Sequence, residues 1–273
     1  MSAYKNSLSV LEKLEEEYSK VGNSVMAYAY KEYSNRHFRT YMEDGHKIID
    51  PYLGDSDQGY FSIFDGHGGK ESMLYCKDRL HEELEKHIKM FPNDIECALV
   101  DSFESIDMEL QNCGHVQVGT TATVALIRKE KRERVLYLAN VGDSSAVLLS
   151  NNTAEIISYD HKATDRSEML RVQNSGGSIF RGRLRGTLAL TRSLGDHMLK
   201  SSGLSAEPTI TRKILTPCHT MLVLASDGLW DVVTPTDLLA YKNFEPLDIA
   251  SELIRYAVKC GSQDNISVIV ISL

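Results

Sequence analysis

The stretch Tyr60-Phe-Ser-Ile-Phe-Asp-Gly-His-Gly-Gly69 organises the interpretation of the whole chain. It begins as an apolar, aromatic-rich run, which predicts a buried β-strand, and then breaks into a carboxylate, an imidazole and three glycines. Such a strand would fix Asp65 at a sheet edge, while the glycines let the backbone turn tightly and approach a ligand. Carboxylate oxygen is the ligand type that Mg²⁺ and Mn²⁺ prefer. Taken alone, the stretch fits a metal site and an ordinary glycine turn before a helix equally well.

Further carboxylates recur beside apolar runs in the rest of the chain. Their motifs are Arg39-Thr-Tyr-Met-Glu-Asp44, Val141-Gly-Asp-Ser144, Leu222-Val-Leu-Ala-Ser-Asp-Gly-Leu-Trp-Asp231 and Ser262-Gln-Asp-Asn265. With Gly119-Thr-Thr-Ala-Thr123 and Leu190-Thr-Arg-Ser-Leu-Gly-Asp196, in this order from about Met26 to the C-terminus, they resemble the protein phosphatase 2C family. Members of that family are metal-dependent serine/threonine phosphatases. One motif would be weak evidence, but the ordered set is highly specific.

The resemblance implies a binuclear metal centre with Mg²⁺ or Mn²⁺ as the cofactor. Asp65 is expected to bridge the two ions, and Asp227 and Asp264 to complete the first. Glu43 and the backbone carbonyl of Gly66 are expected to serve the second, largely through water. Carboxylates this close together would repel one another without cations, which supports the same interpretation.

The resemblance implies roles outside the two main metal sites for three more aspartates. Asp44 is expected to hold a metal-bound water, and Asp143 and Asp231 resemble the ligands of a weaker third site. Aspartates in turns also stabilise loops without any metal, and that alternative is stronger for these three than for the other ligands.

Arg39 and His67 are the candidate catalytic residues. A guanidinium group can bind two phosphate oxygens in a fork, which a lysine cannot do; the alternative for Arg39 is a surface ion pair with Glu43 or Asp44. An imidazole can protonate the leaving alkoxide as a general acid. The alternatives for His67 are that it orients another group or is simply exposed to solvent.

The implied reaction is direct attack on a phosphoserine or phosphothreonine by a water that two metals share and acidify. Two rival functions stay open. The first is a catalytically silent regulator with the same fold, which would be expected to lack a metal ligand, whereas none is missing here. The second is a metal-dependent hydrolase of small phosphates or nucleotides, against which the negative charge and the absence of a nucleotide loop weigh only weakly.

The composition is that of an ordinary soluble globular protein, and it limits the kinds of binding partner that we expect. A formal net charge of −8 argues against binding to nucleic acid and disfavours an anionic membrane. No apolar run is long enough to span a bilayer, and no signal peptide is visible. The five cysteines are scattered and odd in number, which is typical of reduced thiols. We therefore expect a monomeric signalling enzyme of the cytoplasm or nucleus that acts on phosphoproteins.

The domain organisation is predicted to be a helical extension over residues 1–24 followed by one catalytic domain over residues 25–273. An apolar stripe suggests the helix, and it consists of Leu8, Leu11, Leu14, Tyr18 and Val21. Packing of this helix on the catalytic domain is the favoured interpretation. A partner-binding or dimerisation helix is the alternative.

In the catalytic domain, two helical segments follow one another before a run of strands, and helices return near the end. This order argues against a doubly wound parallel sheet and favours antiparallel sheets with helices outside. The family resemblance implies the specific form, an α+β fold built as a four-layer α-β-β-α sandwich.

A basic segment is expected to form a flap beside the active site. Arg181, Arg183 and Arg185 alternate with other residues, which predicts that all three lie on one side of an extended segment. The flap could hold acidic or phosphorylated substrate, and a role in solubility alone is at least as well supported.

Overall fold

The computed structural model describes residues 15–114 and 117–273, and two antiparallel β-sheets lie at its centre. The strands in chain order are β1 (Glu17–Val21), β2 (Ala27–Tyr33), β3 (Asp44–Ile49), β4 (Gln58–His67), β5 (Gly119–Thr120), β6 (Ala122–Glu130), β7 (Glu133–Val141), β8 (Ser145–Ser150), β9 (Thr153–Ile156), β10 (Ile179–Phe180), β11 (Arg183–Leu184), β12 (Leu194–Gly195), β13 (Thr209–Leu215), β14 (His219–Ala225) and β15 (Ile266–Ser272). The helices are α1 (Glu71–Met90), α2 (Ile95–Asn112), α3 (Arg166–Asn174), α4 (His197–Lys200), α5 (Asp227–Trp230), a 3-10 helix over Pro235–Tyr241 and α6 (Pro246–Lys259).

The strand order explains how distant motifs meet. The first sheet has the order β1-β2-β15-β14-β8-β9, and the second has the order β12-β5-β4-β6-β7-β13, with β3 also paired to β4. Strands β10 and β11 form a separate hairpin. Because β3, β4, β14 and β15 all end or begin at the same side of the sandwich, the carboxylate motifs that flank them lie close together.

Alternate residues of β4 divide the core into layers. Phe61 and Ile63 face the first sheet, whereas Tyr60 and Phe64 pack under α1 and α2. This follows from the two-residue period of a strand that is buried on both faces. All four side chains are fully buried, and burial of each such apolar side chain stabilises the fold by roughly 1.5–3 kcal/mol.

The outer face of the first sheet is covered by α6 and the 3-10 helix. Ile249 and Leu253 of α6 pack on Val223 and Val268. The layers are therefore helices, sheet, sheet and helices, and the predicted α+β four-layer sandwich is confirmed.

The buried face of helix α1 follows the helical period. Met73 lies in the core with Leu80 and Leu84, whereas Leu74 is 41% exposed. Seven residues are close to two helical turns, so position 73 shares a face with position 80 and position 74 does not.

The N-terminal prediction is partly wrong. Glu17–Val21 is a strand, β1, which pairs antiparallel with β2 from Glu17 opposite Lys31 to Val21 opposite Ala27. Tyr18 packs between the sheets and Val21 is 86% exposed, although a helix would have placed both on one face. The hydrogen bonds that β2 offers along its edge decide the conformation. The rest of the proposed helix, including Leu8, Leu11 and Leu14, lies outside the described residues.

Strand β13, at the edge of the second sheet beside β7, has no counterpart in the sequence analysis. Its side chains are mostly half-exposed, and Arg212 and Lys213 interrupt the apolar alternation that would reveal a strand. Within the described ranges, no helix has both the length and the hydropathy needed to cross a membrane.

Candidate active site

Strands β3 and β4 bring the first two carboxylate motifs together. Asp44 lies directly opposite Asp65 in the antiparallel register. The strand does not break at Asp65 as predicted, because Gly66 and His67 still pair with Thr120 and Gly119 of β5.

The tight turn begins only after His67. Gly68 and Gly69 have positive φ values of 72° and 141°. Residues of β-strand conformation therefore present Asp65, Gly66 and His67 on a rigid support, which suits a site that needs fixed geometry.

Gly66 is required for close packing of Glu43. The Gly66 amide donates a 3.2 Å hydrogen bond to the Glu43 carbonyl oxygen. A side chain at position 66 would place a Cβ atom only 2.6 Å from that oxygen. The contact between the two backbones therefore needs glycine and holds Glu43 beside Asp65.

Two aspartates come from the ends of the first sheet. Asp227 begins α5 just after β14, and Asp264 lies just before β15. Asn265 ties these loops to both sheets: its Oδ1 accepts a 2.9 Å hydrogen bond from the Glu43 amide, just before β3, and its Nδ2 donates to the Ser34 carbonyl, just after β2, at 2.8 Å.

A cavity of about 290 Å³ opens where the motifs meet. Most of the residues proposed from the sequence line it, namely Arg39, Glu43, Asp65, Gly66, His67, Asp143, Asp227 and Asp264. Asp44 does not line this cavity; it is buried, and its Oδ2 accepts a 2.8 Å hydrogen bond from the Ser226 hydroxyl. Asp231 lines a neighbouring cavity of about 490 Å³ together with Arg39, Asp227 and Asp264.

Burial and mutual repulsion disfavour the charged forms of four carboxylates in this cluster. Burial raises the pKa of Asp44 to about 7, and nearby Asp227 and Asp264 add to the effect. Burial and the Asp227 charge likewise raise the pKa of Asp143 to about 7. The pKa values of Asp65 and Asp227 are also raised, first by burial and then by neighbouring carboxylates.

This cluster fits a hard divalent cation. The donors are carboxylate and carbonyl oxygens, with no thiolate among them, and oxygen ligands are what Mg²⁺ and Mn²⁺ prefer. Closely spaced carboxylates with raised pKa values are groups whose ionised forms a bound cation would stabilise.

A lysine lies against the two aspartates proposed for a third ion. The Lys162 ammonium is 3.2 Å from Oδ1 of Asp231 and 3.8 Å from Oδ2 of Asp143. The sequence analysis did not assign a role to Lys162. In the chain, only the β8–β9 hairpin lies between Asp143 and Lys162. It supplies part of the positive charge that these carboxylates need.

Arg39 lies at the mouth of the cavity and forms an ion pair with Asp264. The sequence analysis had considered an ion pair of Arg39 with Glu43 or Asp44, so the observed partner is a different one. Because the guanidinium is 46% exposed, the pair is accessible to solvent and can exchange partners at low cost.

His67 has a partner that sequence analysis did not identify. Its Nε2 lies 2.6 Å from Oδ2 of Asp196. Burial lowers the pKa of His67, but the hydrogen bond and charge of Asp196 outweigh that effect and the pKa is raised overall. Asp196 closes the motif that begins at Leu190, which was the available signal, but nothing local connects it with His67.

The basic flap is a small hairpin and not an extended segment. Strands β10 and β11 flank a turn at Arg181 and Gly182, and Arg181 and Arg185 both have positive φ. The three arginines therefore do not share one side as predicted. Of the three, Arg183 lines the carboxylate cavity, and its guanidinium donates a 2.8 Å hydrogen bond to the Thr187 carbonyl.

Comparison with known proteins gives the family. The model of the family "Protein phosphatase 2C" matches residues 28–266. "Protein phosphatase 2C homolog 1" of Saccharomyces cerevisiae is 38% identical over 258 residues, which are 89% of this chain and 92% of the yeast protein. "Protein phosphatase 2C homolog 1" of Schizosaccharomyces pombe is 37% identical over 88% of this chain and 71% of its own length.

Solved structures agree with these matches. A structure described as "a C.elegans sex determining protein" superposes with a TM-score of 0.79 at 27% identity, covering 90% of this chain and 64% of that one. A Toxoplasma gondii phosphatase superposes with a TM-score of 0.81 over 94% of this chain and 96% of its own; at 19% identity this superposition shows a shared fold and no more. The chain belongs to the protein phosphatase 2C family and is a metal-dependent protein serine/threonine phosphatase.

Proposed function

We propose that the carboxylate cavity binds two divalent cations, Mg²⁺ or Mn²⁺, and that the chain uses them to hydrolyse phosphoserine and phosphothreonine in proteins. The observation that carries this proposal is the convergence of buried carboxylates with raised pKa values on one cavity. When bound, such a pair of ions acidifies a water and neutralises charge on the phosphate.

The chain's own residues would divide the binding of the ions. Asp65, whose carboxylate is close to several of the others, would contact both ions; Asp227 and Asp264 would hold the first, and Glu43 and the Gly66 carbonyl would serve the second. Asp44, buried behind them, would accept a hydrogen bond from water; Ser226 already fixes its orientation. Asp143 and Asp231 would form the weaker third site.

Arg39 would position the phosphate. Its guanidinium lies at the cavity mouth and pairs there with Asp264, so an incoming phosphate could take the place of that carboxylate. A planar group with two parallel N–H donors suits a phosphate better than an ammonium does.

His67 would donate the proton that a serine or threonine alkoxide needs as it leaves. Asp196 raises the pKa of His67, so the imidazole holds its proton more tightly than a free histidine would. The rigid strand position of His67 limits the orientations from which that proton can be delivered.

We further propose that the partners are phosphoproteins and that the enzyme is a monomer of the cytoplasm or nucleus with a role in signalling. The net charge of −8 supports the view that it binds neither nucleic acid nor an anionic membrane. The domain boundary near residue 25 remains a prediction.

The test is a panel of phosphoserine and phosphothreonine peptides and nucleoside phosphates, assayed after dialysis against EDTA and again with added Mn²⁺ or Mg²⁺. We expect Mn²⁺-dependent release of phosphate from the peptides and little from the nucleotides. Calorimetry should show two ions per chain in the wild type and fewer in Asp227→Asn, while Asp55→Asn, in an exposed loop, should bind as the wild type does. Full activity in the metal-free protein would refute the proposal.

A further inference from the structure

A second cavity of about 330 Å³ lies on the far side of His67. Its lining includes Thr187 and Leu188, which follow the β10–β11 hairpin, and Met198 and Leu199 of α4. The paired side chains of His67 and Asp196 also line it, and His67 lines the carboxylate cavity as well. We call this cavity the Met198 pocket.

The Met198 pocket is continuous with the proposed active site. His67 and Leu188 line both cavities, so the two share an edge. If the phosphate of a substrate occupies the carboxylate cavity, its leaving oxygen lies beside His67. The peptide that carries this oxygen must then pass the mouth of the Met198 pocket, an argument that rests on the function proposed above.

The lining of the pocket favours an apolar group. The lining is mostly apolar and includes Leu188, Met198 and Leu199, while the ionisable residues His67 and Asp196 are paired with each other. No lysine or arginine among the described residues lines it. Gln117 and Thr187 also line the pocket but carry no charge. A charged substrate side chain would therefore lose water without meeting an unpaired opposite charge among the described lining residues, whereas an apolar one would bury surface.

Met198 is well placed to contact such a group. Its side chain is 55% exposed although the residue is large and apolar, and it lies at the start of a short helix beside the site. Methionine is flexible and polarizable, so it can adapt to side chains of different shapes.

We propose that the Met198 pocket binds the apolar side chain of a substrate residue one or two positions from the phosphorylated residue. An extended peptide rises about 3.3 Å per residue, so only these near neighbours can reach across His67. The pocket selects substrates by the residue next to the phosphate, and takes no part in the chemistry at phosphorus.

The experiment measures kcat/KM with Mn²⁺ for phosphoserine peptides that carry Leu, Phe, Glu or Lys at each of the four positions nearest the phosphoserine. The wild type should prefer Leu or Phe over Lys by about 10- to 100-fold at one of these positions. In Met198→Glu this ratio should fall to near one, and in Met198→Leu it should persist. Because the readout is a ratio within each variant, a smaller folded fraction does not change it.

The matched control is Met26→Glu, at a methionine of similar exposure that lies outside both cavities. It should keep the wild-type ratio. If the wild type hydrolyses p-nitrophenyl phosphate with Mn²⁺ but shows no side-chain preference at any peptide position, the pocket proposal is wrong and the proposed function stands. Preference retained in Met198→Glu would overturn it too, and a wild type without any Mn²⁺-dependent hydrolysis would overturn both proposals.

Discussion

The imidazole Nε2 of His67 lies 2.6 Å from the Oδ2 atom of Asp196, although 129 positions separate the two residues in the chain. The Ser193 hydroxyl donates a 2.7 Å hydrogen bond to the same carboxylate oxygen. The Asp196 amide is bound to the Val118 carbonyl at 3.0 Å, so the carboxylate is fixed on both its backbone and its side chain. The imidazole is therefore held in one orientation and its protonated form is favoured.

The first prediction concerns the leaving group. His67→Gln should reduce turnover of phosphoserine peptides by about 10²–10⁴-fold, the usual contribution of an acid–base group. Turnover of p-nitrophenyl phosphate should fall much less, because nitrophenolate leaves without a proton. A series of aryl phosphates should show a steeper dependence on leaving-group pKa in the variant.

Asp196→Asn provides the linked control, because it keeps the shape of the partner but removes its charge. It should lower peptide turnover less than His67→Gln does, and the double variant should be no worse than His67→Gln alone. Additive losses, or equal losses on both substrates, would show that His67 only positions other groups.

The second prediction separates metal binding from folding. Asp227→Asn should reduce activity by more than about 100-fold, since even residues that merely support metal ligands cost up to that much. Its metal-free form should melt no lower than metal-free wild type, because the pKa of Asp227 is raised by burial and by neighbouring Asp264 and Asp231. Calorimetric melts in EDTA measure this, and a large loss of stability there would make Asp227 a structural residue.

The third prediction is the pH dependence of the metal-free protein. Burial raises the pKa values of Asp44 and Asp143 from 3.8 to about 7, so the folded state binds more protons than the unfolded state below that pH. The free energy of unfolding should therefore fall as pH rises through about 7. The melting temperature in EDTA should be higher near pH 6.5 than near pH 8.

The lower limit of that pH window keeps an opposing effect small. Burial lowers the pKa of His46 to about 3 and of His161 to about 4, which makes stability rise with pH mainly below about 6.5, the ordinary value for histidine, and progressively less above it. Saturating Mn²⁺ should remove the decrease in melting temperature above pH 6.5. A metal-free protein that grows more stable between about pH 6.5 and 8 would contradict the assigned pKa shifts.

The fourth prediction concerns the third ion. Lys162→Met should strengthen binding of an additional Mn²⁺ by about 10-fold, because it removes the ammonium that lies near Asp143 and Asp231. Isothermal titration measures the stoichiometry and affinity. Lys213→Met, at a surface ion pair with Glu155, is the matched control and should bind ions as the wild type does. Unchanged binding in Lys162→Met would mean that the lysine does not compete with an ion.

The fifth prediction distinguishes the arginines of the flap. Arg183→Ala should lower kcat/KM for acidic phosphopeptides by about 3- to 10-fold, since this arginine lines the cavity. Arg181→Ala is the comparison, because that guanidinium stacks over Phe180 at 5.1 Å and does not line the cavity. Equal losses in both variants, or a loss that does not depend on peptide charge, would contradict a role in substrate choice.

Local features could be predicted from the sequence because their causes lie within a few residues. Helix α6 begins at Pro246, a residue that suits a first helical turn, and ends at Lys259, two residues before Gly261; β15 coincides with the apolar run Ile266–Ser272. The carboxylates that line the cavity were also predicted, since each follows or precedes an apolar strand and belongs to an ordered set of motifs.

Tertiary structure decided the features that depend on partners distant in the chain. Residues 17–21 have an amphipathic pattern that suits a helix, but the edge of β2 makes them a strand. His67 meets Asp196, and Arg39 meets Asp264, through pairings that span most of the fold. Hydrogen bonds and ion pairs of this kind form only after the two sheets have packed, so the sequence around each residue determines its chemistry and the fold determines its partner.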